Sequence, residues 1–235
     1  MISVIIPTLQ EEGYIERTLA SLAVFKPEIE IIIVDGDSKD RTVSIASQYA
    51  DKIRIVSGRG IAKAKNWGVT QAKGDILVFL DSDVIVPPEF LQRIKDTFRN
   101  QTIIAATCQI MPLHYNVLEF IYFLLLNLVI RFSVQALPKT KFKLGFRGEF
   151  IAVRRNEFLK VGGFNETIAC LEDVDITFRL FEFRKFAYIE KMVVYESLRR
   201  IRKRGLFNII KLWATEYIVY LVHGLPKSRV WEVAR

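Results

Sequence analysis

The stretch Ile76-Leu77-Val78-Phe79-Leu80-Asp81-Ser82-Asp83 decides the fold. Five large apolar residues in a row end abruptly on two aspartates. A run of this length without polar alternation reads as a strand covered on both faces, as in a parallel sheet. Two carboxylates at its end would cost stability if they were merely buried together. They belong at the mouth of a cleft beyond the strand, where open α/β sheets hold their ligands.

The same pattern repeats on either side. Residues 2–6 form a short apolar run stopped by Pro7, and residues 30–34 form another that ends on Asp35. Residues 53–56, 103–107 and 150–153 are further strand candidates. Helical spacing separates them. Residues 11–25 repeat apolar positions at Ile15, Leu19 and Leu22, and Ser38 to Arg41 can open a helix carrying Val43 and Ala46. Residues 61–71, 89–98 and 174–183 also read as helices. Strands joined by helix-sized crossovers predict an α/β fold with a mostly parallel central sheet.

Composition limits the function classes. The 235 residues are 51% hydrophobic and 26% charged, which suits a folded domain with a large core. The net charge of +8 is uneven: residues 1–110 carry 13 basic and 14 acidic side chains, residues 111–235 carry 21 and 12. Cys108 and Cys170 are the only cysteines and read as small buried hydrophobes; with His114 and His223 they give no zinc-like spacing. The first strand has no glycine-rich dinucleotide fingerprint after it, and no phosphate loop ending in lysine and serine or threonine follows. Nicotinamide oxidoreductases and common nucleoside triphosphatases are thereby disfavoured. The opening residues lack a basic flank and turn polar by Gln10, so they read as a core strand, not an export signal.

Three acid groups carry the chemistry. Asp81 and Asp83 can meet a divalent cation, and magnesium or manganese favours such oxygen ligands together with a diphosphate. Asp35, Asp37 and Asp40 follow a strand, where a carboxylate can accept hydrogen bonds from a base or ribose. Glu172, Asp173 and Asp175 open a helix and offer a general base. Each has a plainer reading: a solvated turn, a helix start with solvated acids, and electrostatic capping of a helix.

In this order and spacing the chain resembles the inverting glycosyltransferases of family 2, which have the GT-A fold. The opening Val4-Ile5-Ile6-Pro7-Thr8 with Glu11 and Glu12 resembles the family's first-strand signature, and Asp35 to Asp40 its nucleoside-binding segment. Gly36 stands where the family often has a second acid. The segment Arg59-Gly60-Ile61-Ala62-Lys63-Ala64-Lys65-Asn66-Trp67-Gly68 resembles the part near the nucleotide. The resemblance implies a nucleoside-diphosphate sugar donor and a manganese or magnesium ion. Pro7, Thr8, Glu11, Asp35, Arg59, Lys63, Asp81, Ser82 and Asp83 would then serve the nucleotide and cation, with Asp83 and Asp81 on the metal. Lys65 reads equally as part of a solvated basic helix. Gly148 and Glu149 would shape the sugar and acceptor pocket, Asp173 would be the base, and Glu172 would orient base or acceptor. For Asp175 and Arg179 an ion pair along one helix face is an equal reading.

The implied organisation has residues 1–110 as the nucleotide-sugar-binding α/β half and residues 111–144 as a hydrophobic helical insertion. Residues 145–195 supply the acceptor and base region, and residues 196–235 form a basic, amphipathic tail. Residues 120–130 are an uncharged run, short of the roughly 20 residues of a simple membrane span. The tail places Arg199, Arg200, Arg202, Lys203 and Arg204 before an aromatic-rich apolar segment, residues 206–222. Such a cationic cluster attracts an anionic lipid surface, and the apolar segment can lie in the interface. The expectation is a peripheral or monotopic enzyme on the cytoplasmic face of the cell membrane, not a nucleic-acid binder. Its acceptor would be lipid-linked, a polyprenyl phosphate or a glycolipid, with Arg200 and Arg204 near an acceptor phosphate. The rival readings are a homo-oligomer built on the same helices, a soluble family member acting on a non-lipid glycan, a non-catalytic nucleotide or glycan binder, and a nucleotidyl transferase.

Overall fold

The computed structural model describes residues 1–57, 60–136, 145–181, 185–224 and 226. Seven strands form one sheet in the order β3-β2-β1-β4-β6-β5-β7: β1 Ile2–Thr8, β2 Ile29–Asp35, β3 Lys52–Ile55, β4 Ile76–Leu80, β5 Ile103–Pro112, β6 Phe150–Arg154 and β7 Lys185–Glu196. All run parallel except β6, which pairs antiparallel with both β4 and β5. This is the α/β fold with a mostly parallel central sheet that the sequence predicts. The order in which strands are added to the sheet reverses between the parallel neighbours β1 and β4, and the carboxyl ends of those strands carry Thr8 and, one residue past β4, Asp81.

The central strands β1, β2, β4 and β6 are largely apolar because both faces are covered. Val4 and Ile6 of β1 point into one core with Ile15, Leu19 and Leu22 of α1 (Ile15–Ala23), Ala46 of α2 (Thr42–Ala46), and Phe90 and Ile94 of α4 (Phe90–Arg99). Ile5 points into the other, with Ala62 and Val69 of α3 (Ile61–Gln71), Phe158 of α6 (Arg155–Lys160), and Ile176 and Leu180 of α7 (Glu172–Phe181). Successive strand residues alternate between faces, so a continuous apolar run feeds two cores at once. Gly68 is required where α3 crosses β1: a Cβ there would lie 2.4 Å from Ile5 Cγ2.

Two elements differ from the sequence expectation. β7 is a 12-residue strand that its mixed composition concealed; burial alternates irregularly along it, and the pairing with β5 slips by several residues after Ile189. The apolar run at 120–130 lies inside a longer helix, α5 (Val117–Ala136), whose Val117–Gln135 portion is long and apolar enough to cross a membrane by length and composition, with a mean hydropathy of 2.0. The run alone misled because Glu119 and Arg131 lie within the helix and do not end it. A third of that portion is buried, and α5 packs on β5 and β7. Asn127 fastens it: Ile110 N donates to Oδ1 at 3.0 Å, and Nδ2 donates to Ile110 O at 2.8 Å. The opposite face leaves Leu118, Leu125, Leu128, Val129 and Phe132 about half exposed.

The tail folds back onto the domain. Two short turns of helix, α8 (Arg199–Arg204), meet α9 (Leu206–His223) at Gly205. Ile201 and Ile209 join Phe123 of α5 in a small third core. Tyr220 Oη donates to Asp175 Oδ1 at 2.9 Å, tying α9 to α7. Cys108 and Cys170 are both buried and unbridged.

Candidate active site

A cleft of about 550 Å³ opens between the ends of β4 and α7 and the helices α5 and α9. Asp81, Glu149, Glu172, Asp173, Lys65 and Arg200 line its polar end, together with Gly148. The three parts of the sequence that carry Asp81, Gly148–Glu149 and Glu172–Asp173 thus meet in one place. Leu171, at φ 61, turns the backbone into the left-handed region and begins the first turn of α7, with Asp175 N donating to its carbonyl at 2.9 Å. The 145–148 loop presses on that turn; a Cβ on Gly145 would sit 2.6 Å from Val174 Cα.

Lys65 is the residue that sequence reasoning undervalued. It is fully buried, and its Nζ lies 3.0 Å from Glu172 Oε1. Burial alone would lower its pKa, but Glu172, Asp81 and Asp173 together raise it. Its neighbour Lys63, the residue singled out for the nucleotide, is exposed on α3. Two residues apart on a helix is about 200° of rotation, so one of them had to face the sheet. The signal was available: Ala62, Lys65 and Val69 share the helix face that packs on the core.

Asp173 is only partly covered at the cleft surface. Val174 N donates to its Oδ1 at 2.8 Å, and a Cβ on Gly148 would lie 3.3 Å from Oδ2. Burial first, and then the charge of Glu172, push its pKa up to about 7. Glu149 is held by Arg147, with Nη2 to Oε1 at 2.9 Å, and the same nitrogen reaches Glu196. Burial works against the Glu149 carboxylate, but Arg147 overcomes it and leaves the pKa below its ordinary value, whereas burial raises Glu196 well above its own. The Arg147 guanidinium also stacks over Phe123 at 5.0 Å.

Asp83 lies just outside this cleft, at the floor of a smaller pocket of about 230 Å³ with Tyr14, Arg17, His114 and Arg199. Arg199 bridges two acids: Nη2 to Glu11 Oε1 at 2.8 Å and Nε to Asp83 Oδ2 at 3.2 Å. Burial raises Asp83 to about 7 against the pull of Arg199, and Asp81 and Glu11 add to the rise. Asp81 is raised as well, burial being the main cause. The pair offers oxygen ligands only, which fits magnesium or manganese, and a bound cation would favour the ionised carboxylates that burial disfavours. Among the described residues no three acids, histidines or cysteines converge on one point, so such an ion would draw its other ligands from a diphosphate.

The remaining site residues fall in two groups. Asp35 is fully buried at the end of β2, and its carboxylate accepts from Thr8 Oγ1, Ser38 N and Ser38 Oγ, each at 2.7 Å. Pro7 and Thr8 pair with Val34 and Asp35 in the sheet, and the Ser82 carbonyl accepts from Thr18 Oγ1 at 2.8 Å. These contacts shape the strand ends. Arg200 faces the cleft, Arg204 is exposed, and Arg59 lies outside the described residues. Asp175 and Arg179 form the ion pair along α7, Oδ2 to Nε at 2.9 Å, and Arg179 Nη1 also donates to the carbonyls of Val161 and Gly163.

Known proteins resemble this chain in sequence and fold. The family description "Glycosyl transferase family 2" matches residues 3–162. An uncharacterized glycosyltransferase of Haemophilus influenzae is 26% identical over 204 residues, covering 79% of this chain and 64% of the relative. A dolichol-phosphate mannosyltransferase of Pyrococcus furiosus is 33% identical over 111 residues, 44% of this chain and 32% of that protein. Among solved structures, the mannosyltransferase PcManGT from Pyrobaculum calidifontis, in complex with GDP-Man and Mn2+, superposes with a TM-score of 0.71 at 21% identity, over 94% of this chain and 62% of that one. TarS 1–349 of S. aureus with UDP-GlcNAc gives 0.65 at 20% identity, over 83% and 58%. The chain thus spans less than two thirds of the length of these relatives. With the family description covering more than half of its residues and the fold agreeing, the chain belongs to glycosyl transferase family 2.

Proposed function

We propose that the protein is an inverting glycosyltransferase that moves a sugar from a nucleoside-diphosphate sugar to a lipid-linked acceptor at a membrane surface. The observation that carries this reading is the single cleft in which Asp81 and Asp173 meet under a wall formed by α5 and α9. The donor's nucleoside would lie over the ends of β1 and β2, near Asp35, and its diphosphate near Asp81 and Asp83. A magnesium or manganese ion held by those two aspartates would neutralise charge on the leaving diphosphate. Asp173 takes the proton of the acceptor as its oxygen attacks the anomeric carbon, and the nucleoside diphosphate departs from the opposite face. A carboxylate with a pKa of about 7 is matched to that task at neutral pH. Lys65 holds Glu172 beside it and Arg147 holds Glu149, so the acids around the reacting centre keep their places.

The membrane reading rests on the exposed apolar faces of α5 and α9, with Leu125, Phe132, Phe207 and Val222 more than half exposed, and on Arg202, Lys203 and Arg204, the exposed cations of α8; Arg199 of the same cluster is instead turned inward onto Glu11 and Asp83. The apolar and basic surfaces support peripheral or monotopic attachment, which we place on the cytoplasmic face. The relatives named for mannose and N-acetylglucosamine transfer support a sugar-nucleotide donor.

The test is release of nucleoside diphosphate from GDP-mannose, UDP-N-acetylglucosamine and other donors with manganese and membrane lipid extract. Transfer is expected to vanish in Asp173→Asn while donor binding survives; full activity in that variant removes the base. Release of pyrophosphate would indicate nucleotidyl transfer instead. Flotation with anionic liposomes tests the membrane surface, and a protein that stays at the bottom of the gradient overturns it.

A further inference from the structure

Asp175 and Arg179 belong to the acidic motif, yet the proposed chemistry leaves them unused. Asp175 stands two residues past the candidate base on the first turn of α7. Its backbone N–H donates to the Leu171 carbonyl at 2.9 Å, and Leu171, at φ 61, holds the left-handed backbone from which Glu172 and Asp173 emerge. A leucine keeps that conformation only where its surroundings over-determine it. The buried Asp175 side chain supplies restraint. Arg179 holds one oxygen, Nε donating to Oδ2 at 2.9 Å, and its Nη1 donates to the carbonyls of Val161 and Gly163 at 2.6 and 2.7 Å. Tyr220 of α9 holds the other, Oη donating to Oδ1 at 2.9 Å.

We infer that Tyr220 is a positioning residue for the candidate base: its hydroxyl, acting through Asp175, fixes the first turn of α7 and with it the place of the Asp173 carboxylate. The inference rests on the catalytic reading of Asp173 above and makes that base depend on α9.

The two aspartates are about 200° apart around the helix, so Asp173 lines the cleft while Asp175 turns away from it, toward α9. Tyr217 and Ile218 of α9 line the cleft, whereas Tyr220 is buried and its ring packs near Phe178 of α7, with centroids 6.1 Å apart. Burial, and then the charge of Asp175, raise the Tyr220 pKa, so the hydroxyl keeps the proton it donates. A hydrogen bond to a buried carboxylate is of the stronger, charge-assisted kind. One turn earlier on α9, the buried Glu216 carboxylate stands 4.0 Å from the Cys170 thiol. The helix therefore touches the chain on both sides of Leu171. A base must stand close to its proton, and a displacement of about 1 Å at a reacting centre can cost about 100-fold in rate. The bond that restrains Leu171 thus bears on catalysis without touching substrate.

Tyr220→Phe keeps the ring beside Phe178 and deletes only the bond. Hydrogen-exchange mass spectrometry of the full chain, which needs no donor, should show the amides of residues 171–177 exchanging about 10-fold faster than in the unsubstituted protein, with those of β4 unchanged. Turnover is read as nucleoside diphosphate release from GDP-mannose or UDP-N-acetylglucosamine with manganese and membrane lipid extract. It should lose about 10-fold in kcat, with donor KM unchanged within about twofold. A residue that only stabilises the fold would lower the unfolding midpoint and leave kcat of the folded enzyme unchanged. Unaltered exchange at 171–177 overturns the inference even where neither donor is turned over, and so does unaltered kcat. Those failures leave the base in place. Full turnover in Asp173→Asn is a different result: it removes the base itself, and the role of Tyr220 falls with it.

Discussion

Replacing Lys65 by methionine removes one charge and almost no volume from the most buried ion pair of the cleft. The lysine side chain is 0% exposed and that of Glu172 is 9% exposed, with 3.0 Å between them. Removing one partner of a buried pair leaves the other uncompensated, at a cost of about 3–5 kcal/mol. Here the abandoned carboxylate also faces Asp81 and Asp173, so the upper part of that range is expected. For a domain of this size the loss corresponds to roughly 6–20 °C in Tm. The pH dependence has a definite sign. The folded-state pKa of Lys65 lies above its ordinary value of 10.5, so its contribution is fully present below 10.5 and is lost only as pH rises beyond that. Between pH 5 and 9 the lysine itself does not titrate, and any change in the deficit comes from the acids it leaves behind. Protonation of Asp173, whose pKa is raised to about 7, makes the deficit at pH 5.5 smaller than at pH 8. Urea denaturation at both pH values, followed by tryptophan fluorescence, measures it. The double substitution Lys65→Met with Glu172→Leu should recover most of the stability, since an apolar pair of similar volume needs no desolvation. A single variant that loses less than about 1 kcal/mol at pH 8, or a double variant no better than the single, would refute the pair as an electrostatic keystone.

The remaining expectations concern the base and the backbone beneath it. Asp173→Asn should abolish transfer yet raise the unfolding free energy at pH 8 by ~1–2 kcal/mol, because a carboxylate with a raised folded pKa destabilises the fold as pH climbs through about 7; the gain should shrink toward pH 4. In the unsubstituted enzyme kcat/KM should fall about tenfold per unit below that pKa, measured with saturating cation, and a flat profile from pH 5 to 8 would contradict the assignment. Gly148→Ala should lower kcat by about 10–100-fold with little change in unfolding midpoint, since the new methyl would displace an Asp173 oxygen 3.3 Å away without straining a core. Gly68→Ala should behave oppositely, costing about 1–3 kcal/mol of stability by forcing α3 off Ile5.

What local chemistry could dictate was written in the chain. Apolar runs ending on Asp35 and Asp81 announced strands under two-sided cover, and the helix α3 and strand β4 lie where their periodicity places them, at Ile61–Gln71 and Ile76–Leu80. Family resemblance extended that to the GT-A fold. Direction and partnership were not legible. Nothing in Phe150–Arg154 marks it as the reversed strand between β4 and β5, and the uneven burial along Lys185–Glu196 hides a strand behind polar side chains. The same holds within the site. Lys65 finds Glu172 across 107 residues, and Arg199 finds Glu11 across 188, so neither pairing leaves a trace in nearby sequence. Charge type and spacing are local properties, but a carboxylate's role depends on which cation stands beside it and how much water remains. Those are set only when the sheet order brings distant segments to one edge, and that is why the acids could be recognised from the sequence while their counter-ions could not.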